Sequence, residues 1–205
     1  MYAELPLHEA LLTLARHGWS RFEVSTEHFC ALETATDRKA QVARVREVCQ
    51  SRDLHLDQGH ALLQANVAHP DPAQREVDRR RLELHVRLAH ELGVRTIVVH
   101  PGMTPRATTR GERQTEIRYN VDAFRALGES AGSLGCRLAI ENMPRHGFCS
   151  AADLFELLDA IGSPAVGIAF DSSHAHMTRA LDLPAAVSDS GSRLFATHLS
   201  DNDGS

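Results

Sequence analysis

The sequence lacks any apolar run close to the ~20 residues that a membrane helix needs, and its start shows no signal-peptide pattern. Both absences argue against a helical membrane protein and predict a cytoplasmic one. An excess of positive charge is missing too. Asp and Glu outnumber Lys and Arg by 27 to 22, for a formal net charge of −5. No nucleic-acid partner is therefore expected, because phosphate contacts need Lys and Arg. The four cysteines, Cys30, Cys49, Cys136 and Cys149, show no close metal-type pairing and read as reduced thiols. There is no Gly-rich phosphate cradle, no Ser–His–Asp order, no linker and no low-complexity stretch. The chain, residues 1–205, is expected to form a single domain.

What is present is a repeated helix–glycine–strand rhythm. Leu7, Ala10, Leu11 and Leu14 define a helical face before Gly18, and Phe22–Ser25 follows as a short strand. Asp37 is placed to cap a helix carrying Val42, Val45 and Cys49, ahead of a strand at Leu54–Asp57 that runs into Gly59-His60. A helix over about Gln74–Leu92 ends at Gly93, before a strand at Thr96–His100. Thr104–Gln114 is polar and reads as a loop. Val121, Phe124, Leu127, Ala131 and Leu134 then mark a helix stopped by Gly135. Ser150 and Asp153 form a capping-box pattern for the helix of Leu154, Leu157, Leu158 and Ile161. A weaker helix spans Leu183–Val187. Such alternation predicts parallel βα units with right-handed crossovers.

Three apolar strands close on a polar residue: Arg137–Asn142 at Glu141, Val166–Asp171 at Asp171, and Leu194–His198 at His198. Side chains alternate faces along a strand. Ala139 lies with Glu141, Gly167 and Ala169 with Asp171, and Ala196 with His198; Leu138, Ile140, Ile168, Phe170, Phe195 and Thr197 lie opposite. Small residues on the polar side and bulky ones on the other suit a curved sheet with helices outside and polar groups converging inside. The fold class expected is an α/β (β/α)₈ TIM barrel, incomplete. It would hold about six βα units, with the first strand and the last strand or strands absent, since a full barrel takes about 250 residues. The strands of Phe22 and His198 would then be open edges, inviting association into a homo-oligomer.

A carboxylate that ends a buried strand is costly unless it is paired or holds a metal. Glu141, Asp171 and His198 together offer mixed oxygen and nitrogen ligation for a divalent ion, Mn²⁺, Co²⁺, Zn²⁺ or Mg²⁺. His174 follows Asp171 in a loop that can turn back over the pocket. His60 and His100 each suit a metal ligand, a substrate partner or a local cap. Glu23 suits either an interior salt bridge or a pocket role. Asn142 is placed to orient the pocket. Arg106 and Arg110 are candidate phosphate holders, set against ordinary solvated side chains.

The segments Gly59-His60-Ala61, Val99-His100-Pro101-Gly102, Ile140-Glu141-Asn142, Phe170-Asp171-Ser172-Ser173-His174-Ala175-His176 and His198-Leu199-Ser200-Asp201-Asn202-Asp203 resemble the xylose-isomerase-like TIM-barrel superfamily, nearest its sugar phosphate isomerase/epimerase branch. The resemblance covers nearly the whole chain and rests on the order and spacing of motifs that are weak singly. It implies a metal held by Glu141, Asp171, His198 and a second Glu on a last strand that this sequence does not contain. Glu141 would be one member of an acid/base pair. His174, with His100 and His60, would contact substrate. The implied reaction is proton abstraction next to the carbonyl of a sugar or sugar phosphate, through an enediolate. Type IV apurinic endonucleases share the superfamily and use three zinc ions; His60, His100, Glu141, Asp171, His174 and His198 also match their pattern. A non-catalytic barrel is the third reading, and intact ligands argue against it.

Overall fold

The helix–glycine–strand rhythm is realised in a computed structural model that describes residues 2–104, 109–144, 147–178 and 183–202. In chain order the elements are α1 Leu7–Ala15, β1 Arg21–Val24, α2 Thr26–Thr34, α3 Arg38–Arg52, β2 His55–His60, α4 Pro72–Leu92 and β3 Thr96–Val99. They continue with α5 Arg110–Ser133, β4 Arg137–Glu141, α6 Ala151–Ile161, β5 Val166–Asp171, α7 Ser172–Met177, α8 Leu183–Ser190, a 3₁₀ turn at Gly191–Arg193, and β6 Leu194–His198. The six strands form one parallel sheet whose spatial order is the chain order, β1 to β6. It curls far enough for Gln58 Nε2 on β2 to donate to Thr197 O on β6 at 3.3 Å. The architecture is an incomplete α/β barrel, with β1 and β6 as the edges among the described residues.

Helix ends follow local chemistry. The four glycines expected to stop helices, Gly18, Gly93, Gly135 and Gly162, all have positive φ. Ser150 and Asp153 form the expected capping box on α6. Three expectations are corrected, for Asp37, for the polar segment and for the stretch after Asp171, and helix α2 is an element that the pattern did not mark. Asp37 makes no cap bond to α3; its carboxylate accepts from Gln41 Nε2 at 2.7 Å instead. The segment expected as a loop to Gln114 turns helical at Arg110, because Thr109 and Glu112 form a second capping box. Helix α2 follows β1 at once and buries Phe29 and Leu32. The segment after Asp171 is the short helix α7, capped by the Asp171 side chain.

The two faces of the sheet differ as the alternation predicts. On the outer face Leu138, Ile140, Ile168 and Phe170 join the main core with Phe124, Leu127, Leu154 and Leu157 of the helices. On the inner face Val98, Ala139, Ala169 and Ala196 form a small separate cluster. Phe195 departs from the pattern: it packs against this inner cluster, not outside. The reason is a bulge. Ile168 pairs with Leu194 and Ala169 with Ala196, so Phe195 is the extra residue. Its ring lies over Gly167, where an added Cβ would stand 2.6 Å from the ring and 2.5 Å from Arg193 O. Arg137 stacks on the same ring, 4.5 Å from its centroid.

Candidate metal centre

Each strand delivers one polar side chain to the same end of the inner face: Glu23 from β1, His60 from β2, His100 just after β3, Glu141 from β4, Asp171 from β5 and His198 from β6. Glu141 is the hub and is 2% exposed. Its Oε2 lies 3.2 Å from His60 Nε2 and 3.1 Å from His100 Nε2. Its Oε1 lies 2.9 Å from His198 Nδ1 and 3.6 Å from His174 Nδ1. Asp171 Oδ2 is 3.8 Å from His198 Nδ1. Two groups have ligand atoms all within 4.8 Å of one another, His60–His100–Glu141 and Glu141–Asp171–His198, and they share Glu141.

The surroundings fix the rings. His60 Nδ1 donates to Ala61 O at 3.0 Å and His100 Nδ1 to Leu63 O at 3.2 Å. A carbonyl only accepts, so each Nδ1 carries a hydrogen, and each ring points its Nε2 at Glu141 Oε2. Two ring nitrogens facing one carboxylate oxygen need protons or a cation among them. This donor set therefore fits a divalent ion, and an acceptor on the far ring nitrogen is the usual support for a metal-binding histidine. Thr26 holds the Ala61 and His60 carbonyls through its hydroxyl. Asn142 and Asp171 exchange two hydrogen bonds, Asn142 Nδ2 to Asp171 O at 3.0 Å and Asp171 N to Asn142 Oδ1 at 2.7 Å. His174 is half-buried on α7; its N–H donates to Asp171 Oδ1 at 2.7 Å and its Nδ1 to Asn142 O at 3.0 Å. The nitrogen it can offer a ligand is then Nε2.

Electrostatics follow the geometry. Burial would raise the Glu141 carboxyl, but hydrogen bonds from His100, His198 and His60 outweigh it and hold the group well below the usual carboxylate range. His198 is bonded to Glu141 and Glu23, which outweigh burial and push its imidazole up to about 10.

The structure thus brings Glu141, Asp171, His198, His60, His100 and His174 to one place. Arg110 is exposed on the first turn of α5, and Arg106 lies outside the described residues. Gln58 had no place in the sequence reading, although it shares the face of His60 on β2; it ties Glu23 to β6. A third group, Cys30, Glu33 and His85, sits between α2 and α4. There Arg81 already donates to both Glu33 oxygens, at 2.8 and 2.7 Å.

Comparison with known proteins agrees with this fold. A family model described as xylose isomerase-like TIM barrel matches residues 11–205. A curated protein of Acholeplasma laidlawii (strain PG-8A), "Probable endonuclease 4", is 25% identical over 130 residues, which are 59% of this chain. The match spans 42% of that relative's length, well under half. Among solved structures, a D-tagatose 3-epimerase-like protein superposes with TM-score 0.81 at 21% identity, covering 97% of this chain and 75% of that one. D-psicose 3-epimerase, solved in the presence of D-fructose, gives 0.80 at 20% identity over 96% and 68%. The 3-keto-D-glucoside 4-epimerase of E. coli gives 0.79 at 18% identity over 97% and 75%. At these identities the superpositions establish the fold.

Proposed function

Because the chain belongs to the xylose isomerase-like TIM-barrel family, we propose that it is a metal-dependent isomerase or epimerase of a sugar or sugar phosphate. The observation that carries this reading is the convergence of Glu141, Asp171 and His198 within 4.8 Å at the carboxyl ends of β4, β5 and β6, where barrels of this kind place their chemistry. These three residues would hold the divalent ion. When bound, it supplies Lewis-acid polarisation of a substrate carbonyl and charge stabilisation of the enediolate.

The protein's own groups do the rest. Glu141, kept ionised by three imidazoles, starts as a base and takes the proton from the carbon next to the carbonyl. Asp171 is held by Asn142 and by the first turn of α7, so its free oxygen keeps its aim. His174 Nε2 meets substrate oxygens from above the pocket. The inner apolar floor of Val98, Ala139, Ala169, Ala196 and Phe195 keeps water from below. Ketohexoses and their phosphates, incubated with the Mn²⁺- or Co²⁺-loaded protein in deuterated water, should gain deuterium at the carbon next to the carbonyl. Absence of exchange with every such sugar, under conditions where metal is bound, would remove this reading.

A second reading is favoured by one specific observation. His60 and His100 turn their Nε2 atoms to Glu141 Oε2 and make a second ligand group sharing that carboxylate. Two ions, one held by His60, His100 and Glu141 and the other by Glu141, Asp171 and His198, would supply chemistry suited to phosphodiester hydrolysis, in keeping with the name of the curated relative. Metal stoichiometry decides. One ion per chain, with His60 and His100 contacting substrate, supports the epimerase; two or more, with salt-sensitive cleavage of duplex DNA at abasic sites, supports the hydrolase.

A further inference from the structure

Glu23 belongs to neither ligand group, yet its carboxylate faces the same space. Its Oε2 accepts Nε2–H of His198 at 2.9 Å and also accepts from Gln58 Nε2. Gln58 is the residue paired with Glu23 in the β1–β2 register, and it donates to Thr197 O as well, at 3.3 Å. Two hydrogen bonds therefore tie the end of β6 to β1 and β2 across the mouth of the sheet, whereas the ladder of β6 reaches only β5. The hydrogen bond also decides the ring's chemistry. A carboxylate on Nε2 keeps the hydrogen there and leaves Nδ1 as the donor for a cation. That Nδ1 faces Glu141 Oε1 at 2.9 Å and Asp171 Oδ2 at 3.8 Å. The His60 ring stacks on His198, centroids 5.6 Å apart and planes 15° from parallel, so the ring is also held from its face.

We propose that Glu23 is a positioning residue that fixes the tautomer and orientation of His198, with Gln58 holding Glu23 in turn. The inference rests on the reading that Glu141, Asp171 and His198 hold a divalent ion. The competing account is an ordinary edge ion pair. Glu23's side chain is 31% exposed, and an ion pair this open contributes little to stability. The two accounts differ in what they touch: positioning acts on metal affinity and on the ring nitrogens, and an edge pair acts on neither.

The test uses the full 205-residue chain, Co²⁺ titrated by calorimetry and visible absorption, and ¹⁵N resonances of the histidine rings. Glu23→Ala is expected to lower Co²⁺ affinity about 10- to 100-fold, with little change in melting temperature, and to scramble the Nε2–H tautomer of His198. Glu23→Gln, whose amide oxygen still accepts from Nε2, should recover most of the affinity and the tautomer. It also keeps the question answerable if the alanine variant does not fold. Equal Co²⁺ affinity and unchanged His198 nitrogens in wild type and both variants would overturn the inference while leaving the metal site standing. A wild type that binds no Co²⁺ would remove the metal reading and this inference together, and is distinguishable from equal binding.

Discussion

Asn142 and Asp171 hold each other by two hydrogen bonds, side-chain amide to backbone, at the point where the β4–β5 ladder ends. Asn142 is 2% exposed, so the pair works without competition from water. Asn142→Ala would remove both of these bonds from the buried Asp171 backbone, at a cost of about 0.5–1.5 kcal/mol for each. Chemical denaturation should show that loss, and metal affinity should fall with it because the Asp171 carboxylate is no longer aimed. Asn142→Asp keeps the acceptor but loses the donor and sets a charge against the Asp171 carbonyl, so no rescue is expected. A destabilised Asn142→Ala with wild-type metal affinity would show that Asp171 holds its place without Asn142.

Gly167 lies under the Phe195 ring with no room for a Cβ. Gly167→Ala must push back a backbone carbonyl as well as the ring, and overpacking of this kind costs about 1–3 kcal/mol. The β-bulge that puts Phe195 inside is expected to shift, which would carry His198, three residues on, out of register with Asp171. Unfolding curves give the energy and metal titration gives the displacement. Wild-type values for both would mean that the inner floor is softer than its packing implies.

Period-two alternation is why so much of the site was legible. Glu141, Asp171 and His198 each sit in phase with small inner residues, and strand pairing brings same-phase strand ends together whatever the loops do. The same rule places His60, His100 and Glu23. It fails at Phe195, because a bulge is a backbone event with no side-chain signature there. Helices α2 and α7 escaped because each is short, with too few apolar positions to show a period. The sharing of Glu141 between two ligand groups was illegible for another reason. It depends on the carbonyls of Ala61 and Leu63 turning two imidazoles, and backbone carbonyls leave no mark in the residue types.

His85 gives a pH effect outside the site. It is fully buried and stacked on Phe29, its Nε2 lies 3.3 Å from Glu33 Oε2, and its Nδ1 has no hydrogen-bond partner among the described residues. Burial outweighs the Glu33 contact and lowers its pKa. A depressed histidine stays neutral in the fold while the unfolded chain takes up a proton below ~6.5, so stability is lost as pH falls from there toward the folded value. Urea unfolding at pH 7 and pH 5 should show this loss. His85→Phe keeps the stacked ring and removes the orphaned nitrogen. It should flatten the slope between those two pH values, and a slope identical to wild type would assign the acid sensitivity elsewhere, with His28, also lowered by burial, the next to test.

His198 works in the opposite direction. Without an ion it is bonded to carboxylates on both nitrogens, and its pKa is pushed up to about 10 from an unfolded value of ~6.5. A raised histidine adds stability that is fully present below the unfolded value and is lost as pH rises through the folded one. The ion-free protein should therefore lose stability on the alkaline side, between about 6.5 and 10. Glu141→Gln removes the largest cause of the shift, so the His198 ring resonance should titrate at lower pH and the alkaline loss should shrink. An ion at Nδ1 takes the place of the proton that faces Glu141. Binding at pH 8 should then release a proton, visible as a dependence of calorimetric heat on the buffer's ionisation enthalpy, and apparent affinity should climb with pH. Heats independent of the buffer, together with a His198 resonance that titrates near 6.5, would mean that the imidazole is not clamped between Glu23 and Glu141 in solution.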